Sequence, residues 1–323
     1  MNKLGIRAPF HVQWEILYGC NLKCDFCNVW RDHTYDATRL KREDALHLVD
    51  ELAEVGVMFL NLTGGEPLML DHTTDVLQRA KEHGIYTSMN TNGVYVKDKV
   101  KELKKGIELL YVSLDSPYAK THDELRGAEG CFSQIMDGIR AAYDEGINLA
   151  INMTVTKKNF DHMEKMCELA TNLNVPLYIR HVKVIPTEFN DVSNASKLNY
   201  SAMKHVEAVR KLKKKYKAIK TSDAYLNFME NKGFTNYPCK AMKISLNIKP
   251  DGTLVLPCGY FPVHKFKKNG KSLKEIIKSK GFEEKTNIRW YDFCDNCTLS
   301  CFYVPTAMMD FKNYISLVKS YVR

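Results

Sequence analysis

The chain has 323 residues, 45% of them hydrophobic and 26% charged, which supplies apolar surface for a large core and excludes a disordered or low-complexity protein. The net charge of +9 permits an anionic partner without selecting one, and no apolar run approaches the roughly 18 residues that cross a bilayer. The first residues lack the apolar region of a secretory signal, so we expect a cytoplasmic protein whose ten cysteines serve metal binding or catalysis rather than disulfides.

Short apolar runs alternate with amphipathic helical stretches over the first part of the chain. A β–α repeat of about 25–35 residues predicts parallel strands joined by crossover helices, with the chemistry at the carboxyl ends of the strands. The predicted strands are residues 12–18, 57–62, 85–89, 109–114, 147–155 and 177–184, and the predicted helices are residues 39–54, 71–83, 96–105, 132–145 and 160–172.

Three cysteines follow the first predicted strand in the sequence Cys20-Asn-Leu-Lys-Cys24-Asp-Phe-Cys27. A buried structural set or a zinc site is the simpler interpretation, but a structural zinc site takes four ligands, and His33 is the nearest candidate for the fourth. Three thiolates on one loop can instead hold three irons of a 4Fe–4S cubane and leave the fourth iron open. An open position is what a catalytic metal site requires.

Polar and glycine-rich residues end the other predicted strands, on the edge that holds the cysteine loop. Any one of these turns is ordinary turn chemistry, but their convergence on one rim predicts a binding site there. Asn152 and Arg180 are rim candidates that could alternatively pair within the barrel. The strand ends carry Thr63-Gly64-Gly65-Glu66-Pro67, Asn90-Thr91-Asn92-Gly93, Ser113-Leu114-Asp115-Ser116-Pro117, Asn152-Met153-Thr154 and Arg180-His181.

The cysteine loop, with Phe26 directly before its third cysteine, resembles the cluster-binding motif of the radical SAM superfamily. The segment from Thr63 to Pro67 resembles the motif after that superfamily's second strand, and the likeness covers about residues 10–190. It implies a partial (β/α)6 TIM-like barrel, S-adenosylmethionine (SAM) and a 4Fe–4S cluster whose open iron binds SAM. One electron is then expected to cleave SAM to methionine and a 5′-deoxyadenosyl radical, which takes a hydrogen atom from the substrate.

The resemblance also implies roles for single residues, and elementary chemistry agrees with them. An ammonium group needs acceptors, ribose hydroxyls suit Ser or Asp, and a carboxylate suits a guanidinium. The implied cluster ligands and catalytic residues are Cys20, Cys24 and Cys27. The implied SAM contacts are Phe26 at the adenine, Gly64, Gly65 and Glu66 at the amino group, Ser113 and Asp115 at the ribose, Arg126 at the carboxylate, and Asn90 and Asn152 on the rim.

The β–α alternation stops after residue 200. Residues 201–220 predict a basic amphipathic helix, whose charges indicate a solvated face or, alternatively, an anionic partner. Residues 244–258 predict a hairpin around Pro250-Asp251-Gly252, which brings Cys239 and Cys258 near each other. Cys294-x2-Cys297-x3-Cys301 follows, a spacing that suits an iron–sulfur cluster or, alternatively, zinc.

This second cysteine group resembles the SPASM/twitch extension of radical SAM enzymes, which carries auxiliary 4Fe–4S clusters. The full SPASM pattern has seven cysteines, whereas this chain has five in a different spacing, so we expect one auxiliary cluster. The expected ligands are Cys239, Cys258, Cys294 and Cys297, with Cys301 replacing one of them or remaining free.

The sequence therefore predicts an α/β protein: a radical SAM partial barrel over residues 1–200, a helical linker over 201–236, and a small α+β auxiliary-cluster domain with a C-terminal helix over 237–323. The predicted enzyme is a radical SAM oxidoreductase or maturase that oxidises or cross-links a carbon centre. Its expected substrate is a small molecule, a lipid or a peptide or protein side chain, and its expected partner is a one-electron donor such as flavodoxin or ferredoxin.

Three alternatives differ in chemistry. A cofactor-building cyclase of the molybdenum-cofactor type is disfavoured because the C-terminal Tyr321-Val322-Arg323 lacks that family's Gly-Gly tail. A sulfur-inserting enzyme would release sulfide from its auxiliary cluster into the product. A zinc-stabilised nucleic-acid-binding protein would need salt-sensitive affinity for phosphate, and no aromatic nucleic-acid motif supports it, so no nucleic acid is expected.

The sequence supports less specific predictions for several further residues and segments. Cys131 and Cys167 are predicted to lie in the core, and His181 is the histidine most worth following. Residues 186–200 form either a substrate lid or a plain connector. Residues 306–322 predict a helix that caps the fold or, alternatively, lies on a membrane surface.

Overall fold

The computed structural model of the chain describes residues 9–182, 192–235, 239–258, 261–287 and 297–308. Nine strands in these ranges form one sheet, in the order β6-β5-β4-β3-β2-β1-β7-β8-β9. The strands are β1 (His11–Leu17), β2 (Phe59–Gly64), β3 (Tyr86–Thr91), β4 (Leu109–Ser113), β5 (Leu149–Val155), β6 (Leu177–His181), β7 (Ser245–Ile248), β8 (Leu254–Cys258) and β9 (Phe261–Phe266).

Helices separate the strands and cover one side of the sheet. The predicted alternation of six parallel strands with crossover helices is confirmed, with an additional short helix, α4, that carries Arg126. The helices are α1 (Arg42–Glu54), α2 (Thr73–Glu82), α3 (Val100–Gly106), α4 (Ala119–Arg126), α5 (Cys131–Asp144), α6 (Met163–Asn172), α7 (Val192–Leu198), α8 (Ala202–Lys215), α9 (Asp223–Glu230), α10 (Ala241–Ile244), α11 (Leu273–Lys278), α12 (Lys280–Thr286) and α13 (Ser300–Met308).

The two faces of the parallel sheet differ in polarity, because successive side chains of a strand point to opposite faces. On β1 the buried Val12, Trp14 and Ile16 alternate with the half-buried Gln13 and Glu15. The apolar positions pack against the helices in the main core, which also contains Cys131 and Cys167, as predicted. The alternate positions face the interior of the partial barrel and are largely polar.

The predicted hairpin is confirmed: β7 and β8 pair antiparallel around a turn in which Gly252 has a φ of +79°. The sequence did not predict where this hairpin lies. Strand β7 pairs parallel with β1, with His11 opposite Ser245 and Trp14 opposite Ile248, so the C-terminal region extends the barrel sheet. This pairing brings the residue after β7, Lys249, close to the start of the cysteine loop.

Helix α8 carries the densest basic run of the chain, and much of its charge is neutralised within the protein. Arg210 pairs with Glu230 at 2.7 Å, Lys213 with Asp223 at 2.7 Å, and Lys215 contacts Glu164. These carboxylates favour the interpretation of a solvated helix face over that of a docking surface for an anionic partner.

The predicted lid and C-terminal helix lie only partly within the described residues. Helix α7 and residues 199–200 belong to the first, and the beginning of the second is the end of α13. Residues 183–191 and 309–323 are outside the described ranges. Among the helices that the structure describes, none is both long and apolar enough to cross a membrane.

Candidate functional site

The cysteine loop follows β1 and is fixed against the end of α4. The backbone N–H of Lys23 donates to the carbonyl of Arg126, and that of Asp25 donates to the carbonyl of Leu125, each at 3.1 Å. Gly127 ends α4 with a φ of +65°, and a Cβ at this position would lie 2.4 Å from the Lys23 carbonyl oxygen. Glycine is therefore needed where the helix meets the loop.

The three sulfurs of the loop are half-buried and lie near polar hydrogens. Cys20 Sγ accepts from the backbone N–H of Leu22 at 3.5 Å and from Asn92 Nδ2 at 3.9 Å. Cys24 Sγ accepts from Arg126 Nη1 at 3.8 Å. Donors of this kind stabilise thiolate sulfur and tune a bound cluster.

Burial dominates the protonation of these thiols. It raises the pKa of Cys20 to about 11 and that of Cys24 to about 12, and it also raises the pKa of Cys27. The positive charge of Arg126 opposes this effect at Cys24 and Cys27, which favours the thiolate. A metal would displace the protons on binding, because the thiolate is the ligand.

Gly64 and Gly65 allow the end of β2 to lie against the end of β1. A Cβ on Gly64, whose φ is +136°, would lie 2.1 Å from the Leu17 carbonyl oxygen. A Cβ on Gly65 would lie 2.1 Å from the carbonyl oxygen of Gly19, the residue before the first cysteine. These are backbone contacts that cannot move aside cheaply. The two glycines therefore set the position of the cysteine loop.

Glu66 is fully buried, and its carboxylate joins its own turn to the end of β3. Oε1 accepts from the Leu68 N–H at 3.0 Å and from the Thr91 hydroxyl at 2.7 Å, and Oε2 accepts from the Asn92 N–H at 2.7 Å. Burial raises the pKa of Glu66, and these hydrogen bonds oppose that rise. The predicted contact of Glu66 with the SAM amino group stays a prediction; the structure shows that both oxygens already accept from the protein.

A buried ion pair joins Asp115 to Arg126 at 2.7 Å beside the loop. Asp115 Oδ1 also accepts from the Thr154 N–H at 2.8 Å, and the Arg126 guanidinium carbon lies 5.5 Å from the centre of the Phe26 ring. Burial raises the pKa of Asp115, and Arg126 acts in the opposite direction. Three predicted SAM contacts, namely Phe26, Asp115 and Arg126, are thus brought together with Cys24.

The remaining predicted SAM contacts lie on neighbouring strands. Ser113 on β4 is opposite Asn152 on β5, so the two side chains share the interior face of the barrel. Asn90 lies farther along, on β3, where its Nδ2 donates to Asn61 Oδ1 at 3.1 Å. Sequence reasoning placed all three on the rim, and the structure leaves their contact with SAM a prediction.

The arrangement fits a three-thiolate cluster and a polar ligand next to it. The donor set is three sulfurs on one loop, which suits a cubane because each thiolate binds its own iron. Arg126 Nε, beside the loop, and Asn152 Oδ1, on the interior face of β5, are buried and have no hydrogen-bond partner among the described residues. Buried polar groups normally have hydrogen-bond partners. A ligand with both an acceptor and a donor, as SAM has, could satisfy the Arg126 nitrogen and the Asn152 oxygen.

The C-terminal cysteines are only partly described. Cys239, Cys258 and Cys297 pack against the core, and the carbonyl oxygen of Cys297 accepts from the Phe234 N–H at 2.9 Å. Cys294 and the side chain of Cys301 lie outside the described residues. Within the described ranges, no three His, Cys, Asp or Glu side chains are grouped to hold a single metal ion. The auxiliary-cluster ligands remain a prediction.

Two residues of the site were missed by sequence reasoning. Asn92 contacts Cys20 Sγ, and its side chain also donates to Asn21 Oδ1 at 2.7 Å. Lys249 pairs with Glu15 at 2.7 Å just ahead of the loop. Asn92 follows the third strand within a polar run that the sequence does display, whereas nothing local in the sequence relates Lys249 to Glu15.

The first half of the chain is similar to a known protein family. Residues 14–170 match the profile of the radical SAM superfamily. This segment contains the cysteine loop, the glycine pair, Glu66 and the Asp115–Arg126 pair.

Relatives of known activity are similar over more of the chain. An AdoMet-dependent heme synthase of Methanosarcina barkeri is 29% identical over 282 residues, which is 79% of this chain and 78% of the relative. A PqqA peptide cyclase of Ruegeria pomeroyi is 26% identical over 263 residues, covering 79% of this chain and 69% of the relative. Two other AdoMet-dependent heme synthases align over only 42% and 44% of their own lengths.

Solved structures share the fold. Streptococcus suis SuiB bound to its precursor peptide SuiA superimposes with a TM-score of 0.71 at 19% identity, covering 93% of this chain and 73% of SuiB. At this identity the likeness concerns the architecture.

Proposed function

We infer that this chain is a radical SAM superfamily enzyme, and we propose that it uses SAM and a 4Fe–4S cluster to abstract a hydrogen atom from a carbon centre of its substrate. When bound, the reduced cluster would supply the one electron that cleaves SAM to methionine and a 5′-deoxyadenosyl radical. The observation that carries the proposal is the set of three half-buried thiols on one loop, fixed against the Gly64-Gly65-Glu66 turn and the end of α4.

The residues of the loop and of the elements next to it have distinct roles in this proposal. Cys20, Cys24 and Cys27 would hold the cluster and leave one iron open for SAM. Carbonyl oxygens of the Gly64-Gly65 turn accept from the SAM amino group, which suits a turn whose two glycines keep side chains out of the way. Arg126 pairs with the carboxylate through its unpartnered Nε, while its other two nitrogens stay on Asp115 and Cys24.

We also propose one auxiliary 4Fe–4S cluster in the C-terminal region, with Cys239, Cys258, Cys294 and Cys297 as the first choice of ligands and Cys301 as the alternative. An acceptor near the substrate can take the electron left after hydrogen abstraction, which makes the overall reaction a two-electron oxidation or a cross-link. Support comes from β7 and β8, which extend the barrel sheet and so bring Cys258 to the same sheet as the loop.

The relatives indicate the class of substrate only in general terms. The names of the relatives specify heme synthesis and peptide cyclisation, and SuiB was solved with its precursor peptide. We propose oxidation or cross-linking of a carbon centre in a small molecule or a peptide, with electrons from flavodoxin or ferredoxin.

The proposal is tested by measuring iron and acid-labile sulfide per chain after anaerobic reconstitution. We expect about eight irons in the native chain and about four in a Cys20/Cys24/Cys27→Ala variant, because each cubane holds four. Cys167→Ala is the matched control, since Cys167 is buried in the core away from the loop, and it should keep the native iron content. Dithionite with SAM should yield 5′-deoxyadenosine from the native chain and none from the triple variant.

Two results would contradict the proposal. An unchanged iron content in the triple variant would remove the loop from cluster binding. Four irons in the native chain and none in the variant would leave a single cluster and remove the auxiliary acceptor.

A further inference from the structure

We propose that Arg180 binds a carboxylate group of the substrate inside the barrel, between the SAM site and the C-terminal cysteine segment. This inference rests on the proposed function, because it assigns the substrate class of that same site. Four observations support it: the charge balance of the barrel interior, the environment of the guanidinium, and its position relative to each of the two cysteine regions.

Among the described residues, the strands that line the barrel interior carry one charge without a counter-ion. Apart from the histidines His11 and His181, strands β1 to β7, which the structure describes completely, carry two acidic or basic side chains, Glu15 and Arg180. Glu15 is neutralised by Lys249 at 2.7 Å. Arg180 has no ion pair and no hydrogen-bond acceptor among the described residues. A half-buried guanidinium without a counter-ion is costly unless an anion joins it during function.

Aromatic rings hold the guanidinium in place. Its central carbon lies 5.2 Å from the centre of the Tyr178 ring and 5.4 Å from that of Tyr225. Ring faces satisfy the charge in part without using any N–H donor. The N–H groups of Arg180 therefore remain available to a bidentate acceptor, and the side chain is already ordered for it.

Arg180 lies beside the SAM site. It is opposite Thr154 in the parallel pairing of β5 with β6, and the Thr154 N–H donates to Asp115, the partner of Arg126. Asn152, two residues before Thr154 on the same face, carries the unpartnered buried Oδ1. A substrate group held by Arg180 would lie along the same wall of the barrel as these residues.

Arg180 also lies next to the C-terminal cysteine segment. Tyr225, on α9, donates its hydroxyl hydrogen to the carbonyl oxygen of Thr298 at 2.9 Å. Thr298 directly follows Cys297. The same ring that contacts Arg180 thus connects it to this segment.

The chemistry of the site favours a carboxylate. A single guanidinium supplies one positive charge and a planar pair of donors, which match the one charge and two oxygens of a carboxylate. The nearby buried cations Lys249 and Arg126 are already paired with Glu15 and Asp115, so no second unpaired cation is present among the described residues of this site to balance a dianionic phosphate.

Calorimetric titration of the reconstituted, SAM-loaded enzyme under anaerobic conditions tests the inference. The probes are butyrate for a small-molecule source and acetyl-Gly-Glu-Gly-amide for a peptide source, with butyramide and acetyl-Gly-Gln-Gly-amide as neutral counterparts. We expect one carboxylate probe or both to bind the native enzyme, and the one that binds identifies the source. Arg180→Gln should weaken that binding about tenfold or more, as expected for loss of a charge-assisted hydrogen bond.

Two further variants control the comparison. Arg180→Lys keeps the charge and loses the planar fork, so it should bind with intermediate affinity; it also serves if Arg180→Gln does not fold. Arg140→Gln alters an exposed arginine of α5 that pairs with Asp137, and it should leave the affinity unchanged.

Three outcomes would overturn the inference. They are equal binding of carboxylate and amide probes, native carboxylate affinity in both Arg180 variants, and loss of SAM affinity in these variants without loss of carboxylate affinity. Formation of 5′-deoxyadenosine by the native enzyme is measured on the same preparation. Its absence would refute the proposed function, whereas its presence with unchanged probe binding would refute this inference alone.

Discussion

The pair formed by Glu15 and Lys249 should stabilise the attachment of the C-terminal region to the barrel, and Lys249→Met tests this. Lys249 is 1% exposed and Glu15 is 15% exposed, and the same Glu15 oxygen also accepts from the Tyr18 hydroxyl at 2.7 Å. Removing one partner of a buried pair typically costs about 3–5 kcal/mol, because the other charge stays buried. Glu15 keeps its contact with the Tyr18 hydroxyl and some exposure to solvent, so we expect the cost of Lys249→Met to lie near the lower end of this range.

The expected shift in melting temperature follows from the length of the chain. An unfolding entropy of about 2.1 cal/mol/K per residue gives about 0.7 kcal/mol/K for 323 residues. A loss of about 3 kcal/mol therefore lowers the melting temperature by about 4 °C. The assay is anaerobic thermal unfolding followed by circular dichroism at one pH and one protein concentration.

Two variants distinguish the ion pair from general damage. Glu15→Gln/Lys249→Met removes both charges and keeps an acceptor for Tyr18, so it should recover most of the loss. Asp75→Asn breaks the pair with Arg42, whose side chains are 53% and 39% exposed, and it should shift the melting temperature by about 1 °C. The reasoning fails if Lys249→Met shifts no further than Asp75→Asn, or if the double variant melts as low as Lys249→Met.

Three other predictions concern the site. Gly65→Ala should abolish cluster retention, measured as iron per chain, because the added Cβ would overlap backbone atoms. Gly84→Ala is the control: nothing lies within 4 Å of its Cβ, so this variant should retain iron. Equal iron content in the two variants would contradict the steric argument. Glu66→Gln should lower stability by about 1–3 kcal/mol, because an amide cannot accept all three hydrogen bonds; an unchanged melting temperature would disprove this. His122 is buried, and its ring nitrogen accepts a hydrogen bond from a backbone N–H. Burial and the charge of Arg126 lower its pKa to about 3, whereas Asp123 acts in the opposite direction. The unfolded chain binds a proton at this histidine below about pH 6.5 and the folded chain does not, so His122 by itself should lower the free energy of unfolding by about 2 kcal/mol between pH 7 and pH 5. His122→Asn, which keeps an acceptor, should remove that part of the difference between melting temperatures at pH 7 and pH 5; an unchanged difference would exclude His122 as its source.

Much of the architecture was predictable because its signals are local. The alternation of apolar runs with amphipathic stretches predicted all six parallel strands, with ends within three residues of the observed ones. The hairpin around Gly252 followed from turn chemistry. The short helix α4 was missed, since its eight residues contain too few apolar positions for a helical period to be evident.

The roles of single polar residues were less predictable. The glycine pair was expected at the SAM amino group, and its close contact with the backbone of the cysteine loop explains why both residues lack a side chain. Glu66 was expected to face SAM, yet its partners are Leu68, Thr91 and Asn92. A sequence shows that a buried carboxylate needs donors, but it does not show which donors the fold brings to it.

The sequence by itself determined the local features from which the chemistry of this protein is inferred: the spacing of three cysteines on one loop, the glycines after the second strand, and the strand–helix alternation that sets both on one rim. These features depend on neighbours along the chain. Only the tertiary structure decided which charges are neutralised. Glu15 meets Lys249 across 234 positions because β7 pairs with β1, whereas Arg180 meets two aromatic rings and no carboxylate among the described residues. Charge compensation depends on distances in space, and residues far apart in sequence supply it.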